Sequence, residues 1–385
     1  MALNFMTITF KSRVIGNSFE MYCIPSVKLG IMSLMMVVIA ACNSFGPDGL
    51  RATHPLYNEA IVGSLNEQFV QNLVRLHYRD PVFFLDVASV TASLKLDMSA
   101  GLDQSEIGFG PNGGTDFMKY SLGTAYTTAP TLSYVPLQGE GFVKSLLSPI
   151  SIEALFTLTG SGWSSHRLFG LCVERINSLE NAPIASGPTP NFPPDQDRQF
   201  NRLLQLLEEV VNEELIIPRI DPTTKEPQIQ IKSSPEHREA IREIKQLLGL
   251  NQTLEVYRVS SDFLQLRPDT LSIRTRPMMS ILFYLSQHVD SPNAHKQQGL
   301  VTVTRNRDGS EFDWGTTAGG KIFHIQQSER RPDMAFVAIP YRDHWFYLAD
   351  NDLESKSTFM LVAQLFRLQA GAAKSTGPTL TIPVR

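Results

Sequence analysis

Apolar residues recur with helical spacing through residues 58–77, where they form one stripe between polar positions. The stripe consists of Ile61, Leu65, Phe69, Leu73 and Leu76. It predicts a helix that ends before Pro81, because proline disfavours helical backbone in the preceding residue. Residues 82–96 and 131–135 are rich in residues that favour strands. The glycine-rich residues 101–123 predict a turn or a mobile loop between them.

The rest of the chain mixes predicted helices and strands. Helices are predicted at 142–147, 152–158, from Ser164 or Ser165 to about 179, 196–215, 236–248, 278–288 and 353–369. Strands are predicted at 216–220, 229–231, 254–259, 271–275, 301–304, 321–326, 335–340, 344–348 and 379–384. Tyr341-Arg342-Asp343 predicts a tight hairpin turn. Because no strict strand–helix alternation occurs, we predict an α+β fold with mostly antiparallel sheet in two subdomains.

A proline-rich segment at residues 182–195 offers little that can pack into a core. Its prolines favour a linker or a long exposed loop. We therefore predict an N-terminal α+β domain over residues 56–181 and a C-terminal α+β domain over residues 196–385.

The apolar run after Lys28 continues without a charge to Ala41. It is too short to cross a hydrocarbon core, which needs about 20 residues. A positive residue, a short apolar run and small residues at its end are typical of a secretory signal peptide. We predict that residues 1–41 are removed, and that a start at Met21 would make residues 1–20 a gene-start artefact.

Small residues and a cysteine close this run, as Ile39-Ala40-Ala41-Cys42. The sequence resembles the lipobox of bacterial lipoproteins. The resemblance implies a lipoprotein in which acyl chains such as palmitate are attached to Cys42, which holds the protein on the membrane. Asn43 in place of aspartate implies the outer membrane, and residues 42–55 then form a flexible tether. The alternatives are an ordinary signal peptide cut near Ala41 and an N-terminal hydrophobic helix that is retained.

Three further stretches resemble a family of uncharacterised bacterial outer-membrane-type lipoproteins. They are NEQFVQNLVRLHYRDPVFFLDVASV at 66–90, PTLSYVPLQGEGF at 130–142 and HWFYLADNDLESK at 344–356. The family has no established activity, so the resemblance implies a periplasm-facing place in the cell envelope and transfers no catalytic residues.

Charge and cysteine content narrow the classes of function. The formal net charge is −4, and loss of residues 1–41 removes three basic residues and one acidic residue. An acidic chain without basic runs is a poor match for nucleic acid. After processing, only Cys42 and Cys172 would remain, so an exported protein would depend on its core rather than on a disulfide.

Two serine or cysteine arrangements favour structure over catalysis. Gly160-Ser161-Gly162-Trp163-Ser164 departs from G-x-S-x-G and predicts a turn between helices. His166 and Cys172 are six residues apart, on different faces of the predicted helix, and Cys172 shares its apolar side. We find no P-loop or dinucleotide motif and expect no cofactor.

Histidines and acids suggest two polar clusters. His324 and His344, with Asp343 and Asp350, would form a zinc site if their strands were adjacent, although H-x-H and H-x-x-x-H are absent. The second cluster is Arg75, His77, Arg79, Asp80 and Asp86. In it we expect an Arg79–Asp80 ion pair that closes the turn after the helix, with a polar contact site for a partner as the alternative.

Aromatic residues at 311–315 suggest a third feature. Phe312 and Trp314 would anchor a partner if exposed, while ordinary packing is the competing interpretation.

Taken together, the patterns favour a non-enzymatic binding or structural component of an envelope assembly, with an envelope protein as partner. The alternatives are a periplasmic hydrolase with a site assembled from distant residues, and a carrier of an apolar ligand. Clustering of His324, His344 and a carboxylate around one cleft would favour the hydrolase.

Overall fold

The computed structural model describes residues 55–102, 120–188, 190–194, 197–211, 213–372 and 380–383. Contacts divide the chain into Met1–Ala60 and Ile61–Arg385, and the packing described below is that of the second unit, which begins within the first helix. The predicted signal peptide, Cys42 and most of the tether lie outside the described residues. Among the described residues, no helix has the length and apolar character needed to span a bilayer.

The fold is α+β, as predicted. Its helices are α1 (55–77), α2 (Glu140–Leu147), α3 (Ile152–Gly160), α4 (Ser165–Cys172), α5 (Asp197–Val211), α6 (Arg238–Leu247), α7 (Met278–Ser286), α8 (Asn293–Gln297) and α9 (Leu353–Ala372). Short 3₁₀ turns occur at Pro183–Ser186 and Trp314–Thr316.

The strands form three sheets within the described ranges. They are β1 (Leu85–Leu102), β2 (Tyr120–Pro136), β3 (Val173–Ile176), β4 (Leu179–Glu180), β5 (Ile216–Ile220), β6 (Pro227–Ile231), β7 (Val256–Ser260), β8 (Thr270–Thr275), β9 (Gln326–Ser328), β10 (Ala335–Tyr341), β11 (His344–Ala349) and β12 (Leu380–Pro383). The strand orders are β1-β2-β12, β10-β11-β9 and β4-β3-β8-β7-β6-β5. All strand pairs are antiparallel except β7–β8.

The apolar stripe of α1 packs as its spacing predicts. Phe69 meets Phe359 of α9 edge to face, with ring centroids 5.4 Å apart. Phe84, which follows the helix, meets Phe366 at a tilted angle, with ring centroids 4.5 Å apart. Gln68 joins the same region by exchanging two hydrogen bonds with the backbone of Leu85. The contacts fix the direction in which the chain leaves α1.

The helix predicted from Ser164 or Ser165 to about 179 is wrong beyond residue 172. Ser164 does cap α4, but the helix ends at Cys172, and Val173 pairs with Thr275 of β8. Asn177 then adopts a left-handed conformation with φ 48°, which turns β3 into β4. Pairing with β8 therefore overrides the local helical pattern.

Other predicted elements differ in their ends or type. Helix α5 stops at Val211 rather than at 215, because Glu214 takes a left-handed turn with φ 53°. Residues 301–304 are irregular, and the strand predicted at 321–326 is replaced by a turn that precedes β9. The short helix α8 is absent from the prediction. The predicted loop at 101–123 lies mostly outside the described residues.

The proline-rich segment contacts the core. Ala182 and Ala185 are buried against Tyr284 of α7, and the hydroxyl of Thr304 donates to the carbonyl of Pro190. Strands β3 and β4 precede this segment, whereas β5 to β8 follow it, and all six belong to one sheet. The sheet therefore crosses the boundary at which the sequence predicts two domains.

The predicted hairpin at Tyr341-Arg342-Asp343 is confirmed. Tyr341 pairs with His344, and the two residues between them have φ values of 47° and 64°. Two successive left-handed residues are the geometry of a type I′ turn, whose twist matches that of the flanking strands.

Candidate functional site

A cleft of about 620 Å³ opens between the end of α1, the α7–α8 connection and the loops that precede β9. We name it the His77–His324 cleft. Its charged and polar lining includes His77, Asp290, Ser291, Lys296, Glu311, Asp313 and His324. These residues come from segments far apart in the chain, so their proximity is a product of the tertiary fold.

His77 and Ser291 form a close polar contact in the cleft wall. Nε2 of His77 lies 2.5 Å from Oγ of Ser291. Nδ1 of the same ring lies 2.8 Å from the carbonyl oxygen of Ser286, the last residue of α7. Burial lowers the pKa of His77 to about 4, although the Ser286 carbonyl acts in the opposite direction. The imidazole is therefore neutral at neutral pH.

Asp290 and His324 form a second pair in the cleft. Nε2 of His324 lies 2.8 Å from Oδ1 of Asp290, and both side chains are about half exposed. The hydrogen bond that His324 donates to Asp290 raises the pKa of His324 above its usual value. An exposed imidazole whose cationic form is favoured in this way can donate a charge-assisted hydrogen bond to a ligand.

Aromatic rings and an ion pair form another part of the cleft wall. Phe312 and Trp314 meet edge to face, with ring centroids 5.1 Å apart. Asp313 holds the chain between them by accepting from the backbone N–H of Gly315 across 2.8 Å. The ammonium of Lys296 pairs with Glu311. The two aromatic rings are half buried and line the cleft. They therefore pack against the protein and also present a surface to a partner, which are the two roles that the sequence suggests.

A buried polar network supports the cleft from behind. Nε2 of His288 lies 2.9 Å from Oγ1 of Thr317, whose hydroxyl donates to the carbonyl of Trp314. Burial lowers the pKa of His288 to about 3. The phenol of Tyr284 accepts from the backbone N–H of Gly319 across 2.8 Å. The network fixes the loop that carries Trp314.

His324 and His344 do not lie together, as the zinc interpretation would require. Strand β11 pairs with β9 so that Tyr347 faces Gln326 and Trp345 faces Ser328. This register places the two histidines at opposite ends of the strand pair. His344 instead packs against His295, with ring centroids 4.9 Å apart. In the part of the chain that the structure describes, no group of three or more His, Cys, Asp or Glu side chains could hold a metal ion.

Asp343 and Asp350, the acids of the zinc interpretation, lie elsewhere. Asp343 is the second residue of the hairpin turn, and Asp350 pairs with Lys356 across 2.6 Å. Among the described side-chain pairs, the carboxylate that contacts His324 is that of Asp290, which carries no distinctive sequence motif.

The cluster after α1 is divided between different partners. The predicted Arg79–Asp80 ion pair is wrong, because Asp80 pairs with Arg342 at 2.9 Å and Arg79 donates to Thr302. The remaining members also differ: Arg75 donates to Asn72 at 3.4 Å, Asp86 accepts from Val87 at 2.9 Å, and His77 lines the cleft.

The two other candidate motifs have structural roles. Gly160 ends α3, Gly162 takes a φ of 85°, and Ser164 caps α4, so Gly160-Ser161-Gly162-Trp163-Ser164 is the predicted turn between helices. Cys172 is fully buried, and burial raises the pKa of its thiol to about 12. The thiol therefore stays protonated and is a poor nucleophile.

Asp290 and Ser291 are the residues that sequence reasoning misses. His77 and Ser291 are 214 residues apart in the chain. The one local signal is Asp290-Ser291-Pro292 after a predicted helix, a composition that also fits an ordinary turn. Such a signal is too common to identify a site without the fold.

No protein-family model matches this chain, and no curated protein and no solved structure matches it. The assignment of a function therefore depends on the geometry of the cleft and on the predicted anchor.

Proposed function

We propose that this chain is a lipid-anchored cell-envelope protein that binds another envelope component in the His77–His324 cleft. In this proposal the lipid on Cys42 holds the folded part at the periplasmic face of the outer membrane. The observation that carries the binding site is the cleft of about 620 Å³ with polar and aromatic walls. Concave sites of this size are typical of ligand binding.

The charges of the cleft indicate the chemistry of the ligand. Asp290, Glu311 and Asp313 supply three carboxylates, whereas Lys296 supplies an ammonium that already pairs with Glu311. Carboxylates accept hydrogen bonds from hydroxyl, amide and ammonium groups. The neighbouring ring of Trp314 offers a flat apolar surface. The carboxylates and the Trp314 ring together favour, as the ligand, a neutral or cationic polar segment of an envelope protein or polymer.

The carrier of an apolar ligand has less support. An apolar cavity bounded by Leu203 and Leu207 of α5 and by Ile229 of β6 has a volume of about 50 Å³. A single water molecule occupies about 30 Å³ of liquid, so the cavity is far too small for an acyl chain. The larger cleft has charged walls, which would have to be desolvated against such a ligand.

The test is a pull-down from crosslinked cells that express the tagged full chain. Three variants accompany the wild type. Cys42→Ala removes the lipid, Asp290→Asn removes a cleft charge, and Glu243→Gln removes a matched carboxylate from the exposed Arg202–Glu243 pair outside the cleft. We expect defined envelope components with the wild type and with Glu243→Gln, and their loss with Asp290→Asn.

Each variant tests a separate part of the proposal. Loss of capture and of membrane association in Cys42→Ala would support the anchor, while unchanged membrane association would contradict it. Capture that is equal in Asp290→Asn and the wild type would contradict the cleft as the binding site. No capture by any form would overturn the binding function itself.

A further inference from the structure

We propose that Ser291 and His77 act as a nucleophile and general base that hydrolyse acyl esters in the His77–His324 cleft. The proposal rests on the cleft as a ligand site and adds a reaction to it. The substrate class is an ester between an acyl group and a polar alcohol, since the cleft walls carry carboxylates, imidazoles and an ammonium.

The hydrogen bonds of His77 determine which nitrogen accepts a proton. A backbone carbonyl can only accept, so the 2.8 Å contact with the Ser286 oxygen places the proton of the neutral ring on Nδ1. Nε2 then has a free lone pair and accepts from the hydroxyl of Ser291 at 2.5 Å. A serine oriented on the accepting nitrogen of an imidazole is the arrangement required for general-base activation.

The Ser286 carbonyl takes the position that a carboxylate has in the usual triad. Ser286 is the last residue of α7, and the final carbonyls of a helix have no partner within the helix. The helix end is also the negative end of its dipole, which favours the imidazolium formed when His77 accepts a proton. The carbonyl therefore orients the ring and stabilises its charged form.

The backbone on either side of the pair is held in place. The N–H of Asp290 donates to the carbonyl of Ile325 across 2.9 Å, and the N–H of Ile325 donates to that of His288 across 3.0 Å. His77 lies at the end of α1, and its ring meets the ring of Tyr78 edge to face at 5.6 Å. Both reacting groups are thus fixed by neighbouring elements before any ligand arrives.

Burial and the local charge together favour a neutral base with low basicity. Besides burial, the positive charge of Lys296 lowers the pKa of His77, which reaches about 4. The same ammonium lines the cleft, where it pairs with Glu311. A weakly basic imidazole suits esters better than amides, because ester carbonyls are more electrophilic.

The reaction takes place in two steps. In the first, Ser291 Oγ attacks the acyl carbon while its proton moves to Nε2 of His77. Collapse of the tetrahedral intermediate breaks the bond to the alcohol, which leaves with that proton. In the second, water attacks the acyl-serine and gives a proton to Nε2, and the proton returns to Oγ as the carboxylic acid departs. Water is the only co-reactant, and nothing is oxidised or reduced.

The test uses the full-length chain and a fluorophosphonate probe, which forms a covalent phosphonyl-serine with release of fluoride. Mass spectrometry locates the adduct, and hydrolysis of 4-nitrophenyl acetate measures turnover. We expect labelling at Ser291, none at that position in Ser291→Ala, and a rate at least about 100-fold lower in His77→Gln. Ser233→Ala, an exposed serine that donates to Glu255, is the matched control and should label like the wild type.

The pH dependence separates this pair from an ordinary reactive serine. We expect a labelling rate that stays constant from about pH 8 to about pH 6 and falls only as the pH approaches the pKa of His77. Near-UV circular dichroism checks that each variant is folded. Because Ser291→Ala removes only a hydroxyl, it keeps the test valid if His77→Gln does not fold.

The outcomes distinguish this proposal from the proposed function. Absence of labelling in folded wild type, or equal turnover in Ser291→Ala, would overturn the hydrolase. If the pull-down still depends on Asp290 in that case, the binding function stands without it. Labelling of Ser291 without capture of any component would support the hydrolase and contradict the binding function.

Discussion

The guanidinium of Arg276 donates to the carbonyl of Val173 across 3.0 Å, at the residue where α4 gives way to β3. Arg276 is fully buried, and the same nitrogen also donates to the carbonyl of Leu171 across 3.1 Å. The ring of Tyr284 lies 4.1 Å below the guanidinium carbon. One side chain thus joins the end of a helix, the start of a strand and the network behind the cleft.

We expect Arg276→Lys to lower the free energy of unfolding by about 3 kcal/mol or more, because hydrogen bonds to charged groups contribute about 1.5–3 kcal/mol each. A lysine ammonium cannot reproduce the planar fork that reaches several carbonyls. Urea unfolding monitored by circular dichroism measures the change. Arg202→Lys, in an exposed pair, is the control and should leave the unfolding midpoint almost unchanged. Equal midpoints for the two variants would contradict this account.

Glycine at position 319 allows two rings to approach the backbone. An added Cβ would lie 2.7 Å from Cε1 of Tyr284 and 2.8 Å from Cε1 of His288. Both rings are buried, so Gly319→Ala should lower the free energy of unfolding by about 1–3 kcal/mol. Gly63→Ala is the matched control, since nothing lies within 4 Å of its added Cβ inside α1.

The two alanine substitutions should change the free energy of unfolding in opposite directions. Alanine favours a helix interior over glycine by up to about 1 kcal/mol, so Gly63→Ala should stabilise the protein. Thermal and urea unfolding of both variants measure the difference. A stabilising effect at Gly319 would show that the rings of Tyr284 and His288 move easily, contrary to the packing described.

Buried histidines should make the fold sensitive to mild acid. The pKa of His288 is lowered to about 3 and that of His77 to about 4, in both cases chiefly by burial. Below the unfolded pKa of 6.5, the unfolded chain binds protons that the folded chain does not. The free energy of unfolding therefore decreases as the pH is lowered. When the pH is lowered from about 6.5 to about 5, His288 alone should lower the free energy of unfolding by about 2 kcal/mol.

Urea unfolding at a series of pH values measures this slope. Most of this window lies above the range in which carboxylates titrate. His324, whose pKa is raised, acts in the opposite direction above the unfolded value. His288→Gln should flatten the slope because its amide can still donate to Thr317. A wild-type stability that is constant across the window would disprove the buried neutral histidines.

Asp290 should control the protonation of His324. The hydrogen bond between them is the main cause of the raised pKa of His324. We therefore expect Asp290→Asn to lower the pKa of His324 toward its usual value, as measured by NMR titration of the ring Cε1–H. Glu243→Gln is the control and should leave it unchanged. A pKa of His324 that is the same in Asp290→Asn and the wild type would mean that the pair is not formed in solution.

Local sequence pattern alone predicts the elements in which all residues favour the same secondary structure. The helix through Phe69, the helix through Phe359 and the type I′ hairpin at Arg342 follow from apolar spacing and turn composition. Where two patterns compete, the prediction is wrong, as at Val173, where a helical stripe continues into residues that pair with β8. Strand pairing across about 100 residues leaves no local signal.

The amino-acid sequence by itself determined the α+β class, most helices and strands, and the burial of Cys172, because each depends on spacing within a few turns of chain. The prediction of a lipid anchor at Cys42 likewise comes from sequence alone. Only the tertiary structure decided the cleft, in which Ser291 meets His77 and Asp290 meets His324. Those contacts depend on how α1, α7 and the loops before β9 pack together, and distances between residues far apart in the chain are set by packing rather than by local sequence.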